Sequence, residues 1–217
     1  MNSISSNYRV LKKLGSGATA EVFIAETRQN QPVALKVFKE DDSKSSVRNK
    51  EIVKRELKYA MEVSGEGTSS DIAMRPISYS FPNMIAYELA ENGNFLDYLQ
   101  EGGAMPQRIA NAYSIQLVKL VAELHRRGVC HRDLKLENLV LDQAWDLKLI
   151  DFGLACDLSG TNQRGFCYRG EKVGTEGFMA PEVLLECQYQ PAIADIFALG
   201  VVIFAIYTGV MPFGKAM

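Results

Sequence analysis

Residues 131–138 read HRDLKLEN, and residues 149–153 read LIDFG. Between the two motifs run NLVLD and DLKLID, around the turn QAW. Short apolar runs separated by a turn predict a small hairpin. Such a hairpin brings Asp133, Lys135, Asn138 and Asp151 within a short compass. A carboxylate at Asp133 can orient a hydroxyl and receive its proton. Asn138 and Asp151 offer oxygen ligands, which suit Mg2+, a cation that takes few protein ligands and keeps phosphate oxygens and waters. Any one of these residues alone also reads as a solvated charge on a surface loop; the joint pattern does not.

Toward the N-terminus the texture is β, with the runs YRVLKKLGSG, AEVFIAET and QPVALKVF between residues 8 and 39. LGSGATAEV is a glycine-rich turn between two of these strands. Without side chains, Gly15 and Gly17 let backbone N–H groups close over an anion such as a phosphate, although a plain hairpin with flexible glycines fits the same residues. A strand follows the turn where a dinucleotide-binding fingerprint would need a helix. VALKVF sets Lys36 in an apolar strand, where a charge is costly unless paired. Glu56, on the next helix, is the expected partner and Glu51 its competitor; a lysine facing solvent from an edge strand is the other reading. After the polar gap EDDSKSS, the spacing of Val47, Ile52 or Val53, Leu57 and Ala60 predicts a helix over 47–63. SGEGTSSD is a loop, and MRPISYSF and NMIAYEL read as two more strands around the turn FPN.

Toward the C-terminus the texture is helical. Residues 105–127 carry a stripe of Ile109, Tyr113, Leu117, Leu120 and Leu124, with Pro106 suited to the first turn and Gly128 to the cap. An irregular segment then runs to MAPEVLL, and an apolar helix over 192–210 follows. A bilayer needs roughly 20 apolar residues, so this run is barely long enough to span one, and it contains Asp195. A helix apolar all round also describes a soluble core, and no membrane insertion is expected. The β-rich and helical parts meet near residues 91–93.

The chain has 217 residues, a formal net charge of −2, 47% hydrophobic and 23% charged residues. That suits one large domain or two small lobes. So balanced a charge gives no reason to expect nucleic acid or an anionic membrane as a partner. MNSISSNYRV lacks the basic start and apolar core of a signal peptide. The four cysteines, Cys130, Cys156, Cys167 and Cys187, show no CxxC spacing. With no secretory signal they are expected as reduced thiols in a cytoplasmic or nuclear protein. Composition says nothing of oligomeric state.

GSGATAEV, VALK, HRDLKLEN, DFG, APE and DIFALG follow one another in an order that resembles the eukaryotic protein kinase family, across nearly the whole chain. The resemblance implies an α+β fold: one kinase domain over 1–217, with a β-rich N-lobe (8–90) bearing one main helix, a mainly helical partial C-lobe (91–217), and ATP bound between them. It further implies that Leu14, Gly15, Ser16 and Gly17 bind the nucleotide, with Gly15 and Gly17 over its phosphates, and that Val22 and Ala34 cover the adenine. Glu88 and Ala90 would supply hinge contacts, with Tyr87 closing the pocket behind the adenine. Lys36 would hold the α- and β-phosphates, anchored by Glu56. Asp133 would be the catalytic base, Lys135 would steady the γ-phosphate, and Asn138 and Asp151 would hold Mg2+. Lys135 and Thr175 resemble the serine/threonine type, with Thr175 bracing Asp133 and Lys135, which implies a protein substrate with a Ser or Thr acceptor.

The chain also departs from the family pattern. Ala20 replaces the third glycine of the loop, Phe178 the usual tyrosine, Phe197 the usual tryptophan, and Asn94 a substrate-recognition glutamate, while Glu137 is retained. Glu171 falls where relatives carry an activating phosphothreonine, and Arg132 is the arginine that receives that phosphate. The expectation is that Glu171 supplies a fixed carboxylate in its place; a solvent-facing glutamate is the alternative. Two further functional readings stay open: a kinase-like binding module without efficient catalysis, and a small-molecule phosphotransferase, which GTEGFMAPE disfavours. DIFALGVVIFAIYTG resembles the central helix of the large lobe, after which the family adds further helices. A chain cut there, without the arginine that pairs with Glu182, is expected to be poorly stable, aggregation-prone and weakly active.

Overall fold

Tyr8–Ser16 (β1), Ala20–Thr27 (β2) and Pro32–Phe38 (β3) form the successive antiparallel strands that the alternating apolar runs predict. The computed structural model describes residues 7–39, 43–64, 72–81, 83–158 and 171–212. Pro76–Ser80 (β4) and Met84–Glu88 (β5) complete a five-stranded antiparallel sheet in the order β1-β2-β3-β5-β4. The helix Ser43–Val63 (α1) packs beside it: Val53 and Leu57 join Ala20, Phe38 and Ile85 in one buried cluster. Ala25, Val33, Leu35, Met84 and Ala86 form another. Pro32 opens β3, the strand position where a missing N–H is tolerated. These elements lie in the first of two compact units, Met1–Glu91 and Asn92–Met217.

The second unit begins with Phe95–Gly102 (α2), whose first turn is capped by Asn94: its side-chain oxygen accepts from the Asp97 backbone N–H. Gln107–Arg126 (α3) follows, then Val129–Cys130 (β6), a 3-10 turn over Leu136–Asn138, Leu139–Leu141 (β7) and Leu147–Leu149 (β8). β7 and β8 form the small hairpin expected around QAW. Cys156–Asp157 (β9) pairs with β6. Pro181–Leu184 (α4) and Pro191–Thr208 (α5) complete the described elements, each opening on a proline whose missing N–H costs nothing in a first turn. Gly209 ends α5 in the left-handed region, with φ 73°.

Three expectations need correction. α1 begins at Ser43, inside the gap read as non-helical; once α1 is held by its buried face, propagation backward through Ser and Lys is cheap. Pro106 is the cap of α3 and precedes its first turn. Ile109 is 45% exposed, and the buried face of α3 runs through Ala110, Ser114, Leu117, Leu120, Val121 and Leu124. The stripe is therefore rotated by about one residue in its first half, where small Ala110 and Ser114 admit close packing. On α5 the side chains of Ile193, Ile196, Phe204 and Tyr207 are exposed. Among the described residues it is the one helix long and apolar enough to cross a membrane. The side chain of Val47, most of the SGEGTSSD loop, the segment SGTNQRGFCYRG and Phe213 lie outside the described residues.

Candidate active site

In the first unit, β3 delivers Lys36 and α1 delivers Glu56 to one buried ion pair. Lys36 Nζ stands 2.7 Å from both carboxylate oxygens of Glu56, and the residues are 8% and 1% exposed. Glu51, the competing acid, pairs with Lys54 at the surface. A second donor to Glu56 was not legible in the sequence: the Tyr87 hydroxyl donates to its Oε1 over 2.9 Å. Tyr87 lies on β5 opposite Ala34, as Val22 lies opposite Lys36. A buried carboxylate is tolerable because it has a cation and a hydroxyl to satisfy it.

Leu14, Gly15, Ser16 and Gly17 form the exposed end of β1 and the turn after it. The Gly17 N–H donates to the Ala20 carbonyl, and Lys39 Nζ donates to the Gly17 carbonyl over 2.6 Å. Neither glycine has a positive φ. A Cβ on Gly15 would meet nothing within 4 Å, and one on Gly17 only an ordinary contact at 3.7 Å. The fold itself thus makes no demand for glycine here. Ala20 is buried at the start of β2, so its methyl group contributes core packing. Glu88 pairs with Arg75 at the surface, and Ala90 is half-buried after β5.

In the second unit several donors converge on Asp133. Thr175 Oγ1 donates to Asp133 Oδ1 over 2.7 Å, and Lys135 Nζ donates to Thr175 Oγ1 over 2.8 Å while standing 3.0 Å from Asp133 Oδ2. The amide nitrogen of Asn138 donates to the Asp133 carbonyl over 2.8 Å. That turns the amide oxygen of Asn138 the other way, where it can meet a cation. Asp151 follows β8, and its φ is 67°. Arg132 is held at 63°. Non-glycine residues in this region are strained and cluster at functional sites.

Three supports hold that backbone. Asp195, buried in α5, accepts from the backbone N–H groups of His131 and Arg132, each over 2.8 Å, and stands 3.0 Å from His125 Nε2. His125, Cys130 and Asp195 place possible ligand atoms within 4.8 Å of one another, but the Asp195 carboxylate is already committed to these donors. His131 Nε2–H donates to the Ile150 carbonyl, and its Nδ1 accepts from the Asp133 N–H. The Arg132 side chain is 2% exposed; its Nε donates to the Leu154 carbonyl and its Nη1 stands 3.0 Å from Glu171. Burial pushes the pKa of Arg132 down, but the acidic groups of Cys156, Tyr189 and Glu171 around it raise it above the ordinary arginine value. Asn94 is committed to capping α2, and one buried oxygen of Glu137 has no partner among the described residues.

The family model described as "Protein kinase domain" matches residues 8–217. CBL-interacting protein kinase 30 of Oryza sativa subsp. japonica is 35% identical over 216 residues, 98% of this chain and 44% of the relative. CBL-interacting serine/threonine-protein kinase 13 of Arabidopsis thaliana is 34% identical over 212 residues, 97% of this chain and 41% of the relative. CBL-interacting protein kinase 29 of Oryza sativa subsp. japonica reaches 41% identity over 129 residues, 59% of this chain and 28% of the relative. The chain thus spans less than half the length of these curated relatives. With a family model covering nearly all of it, the chain belongs to the protein kinase domain family.

Proposed function

We propose that this chain is the catalytic part of a protein serine/threonine kinase, which moves the γ-phosphate of ATP to a Ser or Thr hydroxyl of a protein. The observation that carries the reading is the convergence on the Asp133 carboxylate of Lys135, Thr175 and Asn138, whose amide nitrogen also donates to Oδ2 over 3.2 Å. Asp133 accepts the hydrogen bond of the incoming hydroxyl, aims its oxygen at the γ-phosphorus and takes the proton as the P–O bond forms. The bond to the bridging oxygen breaks and ADP leaves. Lys135 faces the transferring phosphoryl group with a positive charge, and Thr175 fixes both side chains. In the first unit Lys36, oriented by Glu56, meets the α- and β-phosphates, and residues 14–17 present backbone N–H groups to them. Glycines that the fold does not need support that role. Val22, Ala34, Glu88 and Ala90 take the adenine.

A hard divalent cation fits the donor set of Asn138 and Asp151, one amide oxygen and one carboxylate, with Mg2+ the natural occupant. When bound it neutralises charge on the phosphates. Kinase names among the relatives support a protein substrate. The test is transfer of labelled γ-phosphate to a generic protein, beside an Asp133→Asn control that still binds ATP. Phosphoserine or phosphothreonine made by the wild type alone supports the reading. ATP binding without transfer would favour a binding module, and transfer to small alcohols or amines but never to protein would favour a small-molecule phosphotransferase.

A further inference from the structure

Cys130 and Cys156 face each other across the β6–β9 pair, each the register partner of the other. They are 0% and 3% exposed. Register partners on antiparallel strands project to the same side of the sheet, with Cα atoms about 4.5–5.5 Å apart. A disulfide spans Cα separations of about 4.4–6.8 Å, so the Cα spacing of this register is compatible with one. Each strand has only two residues. Opening so short a pair breaks few hydrogen bonds, which gives a small oxidant a way in. The buried guanidinium of Arg132 interacts electrostatically with Cys156, and Cys156 is the sulfur assigned to meet the peroxide.

The placement has a consequence for catalysis. Cys130 directly precedes His131, Arg132 and Asp133, and Cys156 closely follows Asp151, Phe152 and Gly153. We propose that Cys130 and Cys156 form an oxidisable pair, and that its closure by a peroxide lowers phosphoryl transfer. The Cys156 thiolate attacks one peroxide oxygen, the O–O bond breaks, and a sulfenic acid forms as the released hydroxide takes up the thiol proton to give water. Cys130 sulfur then attacks the sulfenic sulfur, and its own proton leaves with the hydroxyl as a second water. Two thiols are oxidised by two electrons and one peroxide is reduced to two waters. Cβ atoms of register partners stand about 4.5–5.5 Å apart, and a disulfide needs about 3.5–4.5 Å. Closure therefore draws the strands together by about 1 Å and shifts both flanking motifs, a displacement sufficient to cost a reaction about tenfold or more. The bond stands independently of the kinase reading, whereas its effect on transfer rests on that reading.

The experiment treats the chain with hydrogen peroxide, blocks remaining thiols with iodoacetamide and maps peptides by mass. The expected product is a Cys130–Cys156 linked peptide, two hydrogens lighter than the sum of its thiol halves and absent from Cys156→Ser. Oxidised wild type should transfer phosphate about tenfold more slowly, recover with a thiol reductant, and differ in this from Cys156→Ser, which keeps its rate in peroxide. Alkylation of both cysteines after oxidation, or linkage through Cys167 or Cys187 in their place, overturns the pair. A fully linked protein that transfers at the unoxidised rate overturns its effect. The linked peptide is read by mass whether or not the chain transfers phosphate, so a failed kinase reading and a failed disulfide are told apart.

Discussion

Glu56 is 1% exposed and satisfied by Lys36 and the Tyr87 hydroxyl. Removing one partner of a buried pair costs about 3–5 kcal/mol, because the remaining charge is stranded. Lys36→Met should therefore lower the unfolding midpoint in urea, and Lys36→Met with Glu56→Leu should recover much of the loss. A single variant as stable as the wild type would refute this account of the pair. Tyr87→Phe removes only the hydroxyl donor, at about 1.5–3 kcal/mol for a bond to a charged group, in the same measurement. Glu171 is tested through activity. With Glu171→Ala the Arg132 guanidinium, 2% exposed, keeps the Leu154 carbonyl but loses its carboxylate. Phosphate transfer by the full chain should fall several-fold in Ala and be partly restored in Asp, whereas a glutamate that merely faced solvent would leave the rate unchanged.

At the scale of elements, the segment from Glu171 to α4 sets Thr175 against Asp133 through one close backbone approach. Gly174 has φ +109°, and a Cβ there would lie 2.8 Å from the Arg132 carbonyl oxygen. Backbone on both sides cannot yield as a side-chain tip would. Gly174→Ala should cost about 1–3 kcal/mol of stability and lower the turnover number more than the affinity for ATP, read from steady-state kinetics. Such approaches between distant segments were not legible in the sequence, which shows periodicity within an element and little between elements. The strands around Lys36 and the β7–β8 hairpin could be read because alternation and turn residues are local signals. The first half of α3 misled, since Ile109 is the more apolar residue but the smaller Ala110 and Ser114 are the ones that fit inside. The Lys36–Glu56 pair was legible as a need for a partner, and the choice over Glu51 followed from the face of α1 that packs on the sheet. The Tyr87 hydroxyl on Glu56 and the cap supplied by Asn94 depend on contacts or backbone angles that residue spacing does not carry.

At the scale of the whole molecule, the second unit gathers the backbone of the HRD motif around Asp195, which lies 63 and 64 residues beyond the two amides it binds. Asp195→Asn would turn one acceptor into a donor facing those N–H groups, leaving buried donors unmet at about 1–3 kcal/mol each. Amide exchange at His131 and Arg132 should accelerate well before global unfolding does, and unchanged protection there would show that other contacts suffice. The same separation sets a timetable for synthesis. A ribosome adding about 5–20 residues per second needs roughly 3–13 s to pass from Arg132 to Asp195, with further time before α5 clears the exit tunnel. Throughout that interval the newborn loop carries the candidate catalytic residues without the carboxylate that shapes their backbone. Whatever chemistry the loop supports therefore waits for Asp195, well after the loop itself has been made.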